Sequence, residues 1–148
     1  MSALSIRALA AADRDAWEPL WRDYLAFYGV TLPAATFDTT WSRLVDPAEP
    51  MHGLGAVLDG RLVGIVHYIF HRTTWSAGDY CYLQDLFTAE AARGQGAGRA
   101  LIQAVYAAAE AAGASRVYWL TQEGNATARA LYDKLADDPG FVVYRKVF

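Results

Sequence analysis

The stretch Tyr82-Leu83-Gln84-Asp85-Leu86-Phe87-Thr88, followed four residues later by Arg93-Gly94-Gln95-Gly96-Ala97-Gly98-Arg99-Ala100-Leu101, decides the fold. The segment Tyr80 to Thr88 is rich in aromatic and apolar residues and reads as a β-strand. Beyond it, Gly98, Leu101, Ile102, Val105, Tyr106 and Ala109 fall on one helical face, and Gly113 stops the helix. The three glycines between strand and helix carry no Cβ to hold a ligand away from the backbone. The first turn of the helix offers unpartnered N–H groups and a partial positive charge. Strand, glycine turn and helix N-terminus together form a phosphate cradle, and Arg93 and Arg99 add charges that pair with phosphate.

Two other owners of such a loop are set aside by spacing and position. A dinucleotide fold carries G-x-G-x-x-G after the first strand of a βαβ unit, whereas this loop reads G-x-G-x-G and comes late. A nucleoside-triphosphate loop ends in Gly-Lys-Ser/Thr, whereas this one ends Gly98-Arg99-Ala100.

On the N-terminal side, Ser5 to Leu9 reads as a first strand and Asp13 as a helix cap. Trp17, Leu20, Trp21, Tyr24 and Tyr28 then recur at helical spacing, widened by Leu25 and Phe27 and closed by Gly29. Pro33 opens a shorter helix through Trp41 and Leu44, ended by Asp46-Pro47. Gly53 to Leu58, the turn Asp59-Gly60 and the segment Arg61 to about Thr74 form a hairpin. On the C-terminal side, Val117 to Leu120 reads as a short buried strand. Ala128, Leu131, Tyr132 and Leu135 share a helical face, Pro139-Gly140 break that helix, and Phe141 to Phe148 read as a last strand. The order β-α-α-β-β-β-α-β-α-β predicts one α/β (α+β) domain over residues 1–148, with a mixed, mostly antiparallel sheet of about six strands and four helices packed on it.

Composition narrows the function classes. With 54% hydrophobic and 20% charged residues, the chain reads as globular rather than disordered. A net charge of −3 argues against a nucleic-acid partner. Cys81 is the lone cysteine, so no disulfide forms within the chain and a reducing compartment is expected. No apolar run approaches the roughly 18 residues of a membrane span. Met1 to Ala12 lacks the pattern of a secretory leader, so the cytoplasm is the expected location.

The quoted loop, together with Val117-Tyr118-Trp119-Leu120-Thr121 and Asn125-Ala126-Thr127-Ala128-Arg129-Ala130-Leu131-Tyr132-Asp133-Lys134, resembles the GNAT superfamily of N-acetyltransferases. That family's cofactor motif, Gln/Arg-x-x-Gly-x-Gly/Ala, is met by Arg93, Gly96 and Gly98. The Tyr-Trp-x-Thr strand and the Asn…Leu-Tyr helix are most similar to the histone and polyamine branch. The resemblance implies acetyl-CoA as cosubstrate and two splayed central strands that admit its pantetheine arm. Leu86, Phe87 and Thr88 would lend backbone hydrogen bonds to that arm. Arg93 to Arg99, with the N–H groups of Gln95, Gly96, Ala97 and Gly98, would hold the pyrophosphate. Asn125 would bond the pantetheine, and the Tyr132 hydroxyl would face the sulfur.

Acetyl transfer to an amine needs a neutral nucleophile, a donor for the developing oxyanion and a proton for the leaving thiolate. A backbone N–H near Leu86 and Phe87 is the expected oxyanion donor. Tyr132 is the expected general acid, because a phenol with a pKa of about 10 stays protonated at neutral pH. It lies two helical turns from Asn125, so one ligand can meet both.

The base is less defined. Polyamine-type relatives place a Glu where Gln84 stands, and an amide does not accept a proton usefully. Asp85 is adjacent, but strand alternation sends Gln84 and Asp85 to opposite faces. Glu123, before the last helix, is a second candidate. His67 and His71 share a strand face, either lining the acceptor pocket as a proton relay or simply lying part-exposed, and no third ligand suggests a metal. Tyr24, Tyr28 and Asp38 are expected to wall the site of a cationic amine, with Gln84 beside them. The acceptor classes are a polyamine, an amino acid, another small amine or a protein lysine. The alternative is an acyl-CoA-binding regulatory module without catalysis. One C-terminal strand stands where the family commonly has two, so a homodimer with these strands near its interface is expected.

Overall fold

The computed structural model describes residues 3–148, so the Met1–Ala12 segment read for a leader lies partly outside them. The elements are β1 (Leu4–Ala8), α1 (Arg14–Phe27), α2 (Ala34–Leu44), β2 (Met51–Leu58), β3 (Arg61–His71), β4 (Tyr80–Thr88), α3 (Ala97–Ala111), β5 (Arg116–Tyr118) and α4 (Ala126–Leu135). Among the described residues, the strands form a five-stranded sheet in the order β1-β2-β3-β4-β5, antiparallel except for the parallel pair β4–β5. This is the mixed, mostly antiparallel sheet with four helices that the sequence predicts.

The hairpin β2–β3 turns on Asp59 and Gly60, at φ 52° and 77°, the left-handed pair that a type I′ turn demands. Asp13 does not cap α1 with its side chain. Its carboxylate instead pairs with Arg7 at 2.7 Å and accepts the Ala10 N–H at 2.7 Å, fixing the short 3-10 turn Ala11–Asp13 that enters the helix.

Strand alternation on β3 divides the core between the two faces of the sheet. Ile65 points to the α1/α2 side, where Trp17, Trp21, Phe37 and Trp41 cluster with Leu20, Leu25 and Leu44. Val66 points to the other side, against Leu101, Ile102 and Val105 of α3 and Leu83 of β4. Among the described residues, no helix is long and apolar enough to cross a membrane.

The structure corrects the sequence reading at the C-terminus. Residues 137–148 form no strand, and Phe141, Val142, Val143, Tyr144, Val147 and Phe148 are all exposed. The segment has strand-forming side chains, but a strand exists only against a partner, and the described residues supply none. The final helix-to-sheet connection therefore ends in an apolar tail rather than a sixth strand.

Candidate active site

The site begins where the sheet opens. β4 pairs with β5 only at Tyr80–Arg116, Cys81–Val117 and Tyr82–Tyr118. β4 then continues to Thr88 while β5 stops at Tyr118, so the β4 edge from residue 83 onward has no strand beside it. Its other edge stays bonded to β3, with Leu86 opposite Val66, Phe87 opposite Ile65 and Thr88 opposite Gly64. A rigid row of main-chain donors and acceptors therefore faces a gap, as the splayed-strand expectation requires.

The glycine loop lies at the end of that gap. Gly94 and Gly96 adopt φ 80° and 83°, a conformation that a side chain strains. Gly96 caps α3, whose first bond runs from the Ala100 N–H to the Gly96 carbonyl at 3.0 Å. No side chain caps this end, so the N–H groups of Ala97, Gly98 and Arg99 project from the first turn. A Cβ on Gly94 or Gly96 would meet nothing within 4 Å, so the cradle is open to the outside. Arg93 lies over the Phe87 ring and its Nε donates to the Thr88 carbonyl at 3.3 Å. These residues fit a bound pyrophosphate: free N–H donors, a helix N-terminus and two guanidinium groups.

Beside the gap is a cavity of about 360 Å³ lined by Tyr24, Tyr28, Tyr82, Gln84, Asp85, Leu120, Thr121, Gln122 and Val143. Gln84 and Asp85 both reach it, against the alternation expected of a regular strand. The cause is a β-bulge. His67 pairs with Asp85 and Tyr68 with Leu83, which leaves Gln84 as an extra residue on β4. Asp85 thereby joins the tyrosines, and its Oδ2 lies 3.0 Å from Nδ1 of His67. His67 is 3% exposed, so it is neither a surface residue nor a cavity wall. The Trp17 indole N–H donates to its Nε2 at 3.0 Å. His71 is exposed instead, with its Nε2 2.7 Å from the Tyr118 hydroxyl. Burial first, and then the Asp85 carboxylate, raise the Tyr24 hydroxyl well above an ordinary phenol.

Tyr132 stands on α4 with its ring edge-on to Trp119, at 5.3 Å between centroids. Burial first, then the neighbouring Tyr28, raise its hydroxyl above the usual phenol value. Asn125 caps α4 without using its side chain, which leaves the amide available. Two predicted residues fall elsewhere. Asp38 is on the surface of α2, where its carboxylate accepts from Arg14 at 2.8 Å. Glu123 is exposed outside the cavity, and its main-chain carbonyl accepts from Arg129 at 2.9 Å. Among the described residues, no group of three His, Cys, Asp or Glu side chains is placed to hold a metal.

The sequence reading missed Tyr82, Thr121, Gln122 and Val143 as cavity residues. Tyr82 shares the face that carries Asp85 once the bulge is counted, and only the splay after Tyr118 exposes 120–122. The buried pairing of His67 carried no local signal, because its partners are 50 residues back and 18 residues ahead.

Comparison with known proteins agrees with this architecture. Residues 17–136 match the model of the acetyltransferase (GNAT) family. The chain is 35% identical over 143 residues to the D-amino-acid N-acetyltransferase HPA3 of Saccharomyces cerevisiae, covering 95% of this chain and 89% of that protein. Its fold is similar to the ribosomal-protein-alanine N-acetyltransferase of Brucella melitensis biovar Abortus 2308, with a TM-score of 0.81, 23% identity, and 99% and 100% of the two chains covered. It is also similar to the aminoglycoside acetyltransferase AAC(6')-Iy, solved with a CoA bisubstrate analogue, with a TM-score of 0.85, 15% identity, and 99% of each chain covered.

Proposed function

Because the chain belongs to the GNAT family and is an acetyltransferase, we propose that residues 1–148 form a single domain that transfers an acetyl group from acetyl-CoA to a small primary amine. One observation carries this reading: the free edge of β4 runs from the Asp85 cavity to the open N-terminus of α3. A long ligand laid along that edge has its phosphates at the glycine loop and its reactive end at the cavity.

When bound, acetyl-CoA supplies an activated acetyl group on a thioester. The N–H groups at Gln95 to Arg99 and the guanidinium of Arg93 bind the pyrophosphate. The β4 main chain at Leu86, Phe87 and Thr88 orients the arm, and the Asn125 amide holds it from the α4 side. Asp85 takes the proton of the acceptor ammonium, and Tyr132 gives its proton to the departing thiolate. Asp85 is preferred to Glu123 because only Asp85 lines the cavity. Tyr24, Tyr28 and Tyr82 surround the ammonium with phenol rings, and Gln84 offers it a carbonyl oxygen. Among the described residues, the cavity lining holds one carboxylate and no Lys or Arg, so it suits a cationic acceptor such as a polyamine or a lysine side chain. HPA3 acts on D-amino acids, so amino acids belong in the same panel.

The apolar tail 141–148 supports a homodimer in which a second copy covers it. Burial pushes the Cys81 thiol up to about 11, which keeps it protonated and inert. An amine panel scored by thiol release from acetyl-CoA tests the activity. Turnover that falls to background in Asp85→Asn supports it. Tight acetyl-CoA binding with no acetylation of any amine would establish the binding-module reading instead.

A further inference from the structure

The buried imidazole of His67 is costly unless both ring nitrogens are used, because a polar group out of water needs partners. Both are used. The indole N–H of Trp17 is a donor only, so Nε2 of His67 must carry a lone pair. The single proton of the neutral ring then sits on Nδ1, aimed at Oδ2 of Asp85 at 3.0 Å. A doubly protonated ring would turn two N–H groups against each other at Nε2. Trp17 has no room to yield, being fully buried and packed against Trp21, Phe37 and Trp41.

We propose that Trp17 and His67 are positioning residues that hold Asp85 as the acceptor-side base. This rests on the reading of Asp85 as the base given above. His67 anchors Oδ2, and the Tyr24 hydroxyl meets the same carboxylate where it lines the cavity. The bulge at Gln84 turns the carboxylate toward that cavity, and the Trp17–His67 pair keeps it there. In the proton transfer, an N–H bond of the acceptor ammonium breaks and its electron pair stays on nitrogen. The proton goes to the Asp85 carboxylate, and later to water. His67 keeps its Nδ1 proton throughout, so the ring orients and stabilises the carboxylate without being consumed. His67 is not itself the base, since it is 3% exposed and both of its nitrogens are engaged.

The groups facing Asp85 are His67 from β3, Tyr24 and Tyr28 from α1, and Tyr82 and Gln84 from β4. Among the described residues lining the cavity, none is a Lys or Arg that would hold the carboxylate charged. The carboxylate is therefore held by the His67 N–H together with the Tyr24 hydroxyl, and losing the His67 N–H frees it to turn away from the cavity.

The test compares the unmodified chain with Asp85→Asn, His67→Phe, His67→Asn and Trp17→Phe. It measures kcat and KM separately for the best amine of the panel, and the acetyl-CoA Kd by calorimetry. Asp85→Asn is expected to lose about a hundredfold or more. His67→Phe is expected to lower kcat about tenfold to a hundredfold, with the acetyl-CoA Kd unchanged. His67→Asn returns an N–H near the Nδ1 position and brings kcat back toward wild type. If His67→Phe does not fold, Trp17→Phe, which removes the indole N–H together with part of the ring packing, is expected to lower kcat about fivefold. A kcat that stays at the wild-type value in His67→Phe, or in Trp17→Phe where the former does not fold, overturns the inference while Asp85 remains the base. Full activity in Asp85→Asn overturns the base reading and this inference together.

Discussion

Arg93 and Phe87 are stacked, with the guanidinium carbon 5.8 Å from the ring centroid, and Arg93 also donates to the Thr88 carbonyl. The side chain that begins the glycine loop is thus tied to the end of β4. Its charge is held at the mouth of the gap instead of sweeping through solvent. Arg93→Ala is expected to raise the KM for acetyl-CoA about tenfold while kcat stays within about twofold, because it removes ground-state binding. Steady-state kinetics at two salt concentrations check this, with the difference shrinking at high salt.

Gly96 holds φ 83° at the cap of α3 with open space where a Cβ would stand. The cost of Gly96→Ala is therefore backbone strain rather than collision, about 1–2 kcal/mol. A drop in Tm of about 2–8 °C and weaker acetyl-CoA binding are expected, read by a thermal scan and calorimetry.

Tyr132→Phe removes the hydroxyl but keeps the ring against Trp119. Thiol release is expected to fall about a hundredfold with little change in Tm. Because burial raises this phenol above its usual value, the proton stays on as pH rises. The wild-type kcat should accordingly show no loss from Tyr132 ionisation up to about pH 10. An unchanged rate of thiol release in the variant would remove Tyr132 from the mechanism.

Leu101 is fully buried on the sheet-facing side of α3. Leu101→Ala is expected to destabilise the chain by about 2–5 kcal/mol, measured by urea unfolding, and to weaken acetyl-CoA binding less than Gly96→Ala does.

Asp13 is held below the ordinary carboxylate value, first by its hydrogen bonds from Arg7. Its contribution is present above the unfolded value of about 3.9 and is lost as pH falls through the lower folded value. Asp13→Asn should cost about 1 kcal/mol at pH 7, and that difference should vanish near pH 2 in urea titrations.

The parts legible in the sequence are those governed by local chemistry. The glycine loop, the Asp59-Gly60 turn, the helical stripes and the Asn125–Tyr132 spacing each depend on residues within a few positions. The parts that were not legible depend on distant pairings. Gln84 carries no bulge signal, and its extra place follows from how β3 and β4 register around His67 and Asp85. Asp38 has the composition of an acceptor wall, but Arg14, a turn before Trp17, claims it. The tail from Phe141 has strand periodicity, but periodicity does not supply a neighbour.

The opening between β4 and β5 also ties occupancy to folding. The sheet forgoes hydrogen bonds along residues 83–88 that a complete sheet would make. A ligand that pairs with this edge exists as a partner only for the folded chain. By mass action it raises the unfolding free energy by about 2.7 kcal/mol at a hundredfold excess over its Kd. Resistance to heat and to proteases would then rise and fall with cosubstrate supply, so the chain's lifetime becomes a readout of how well it is charged.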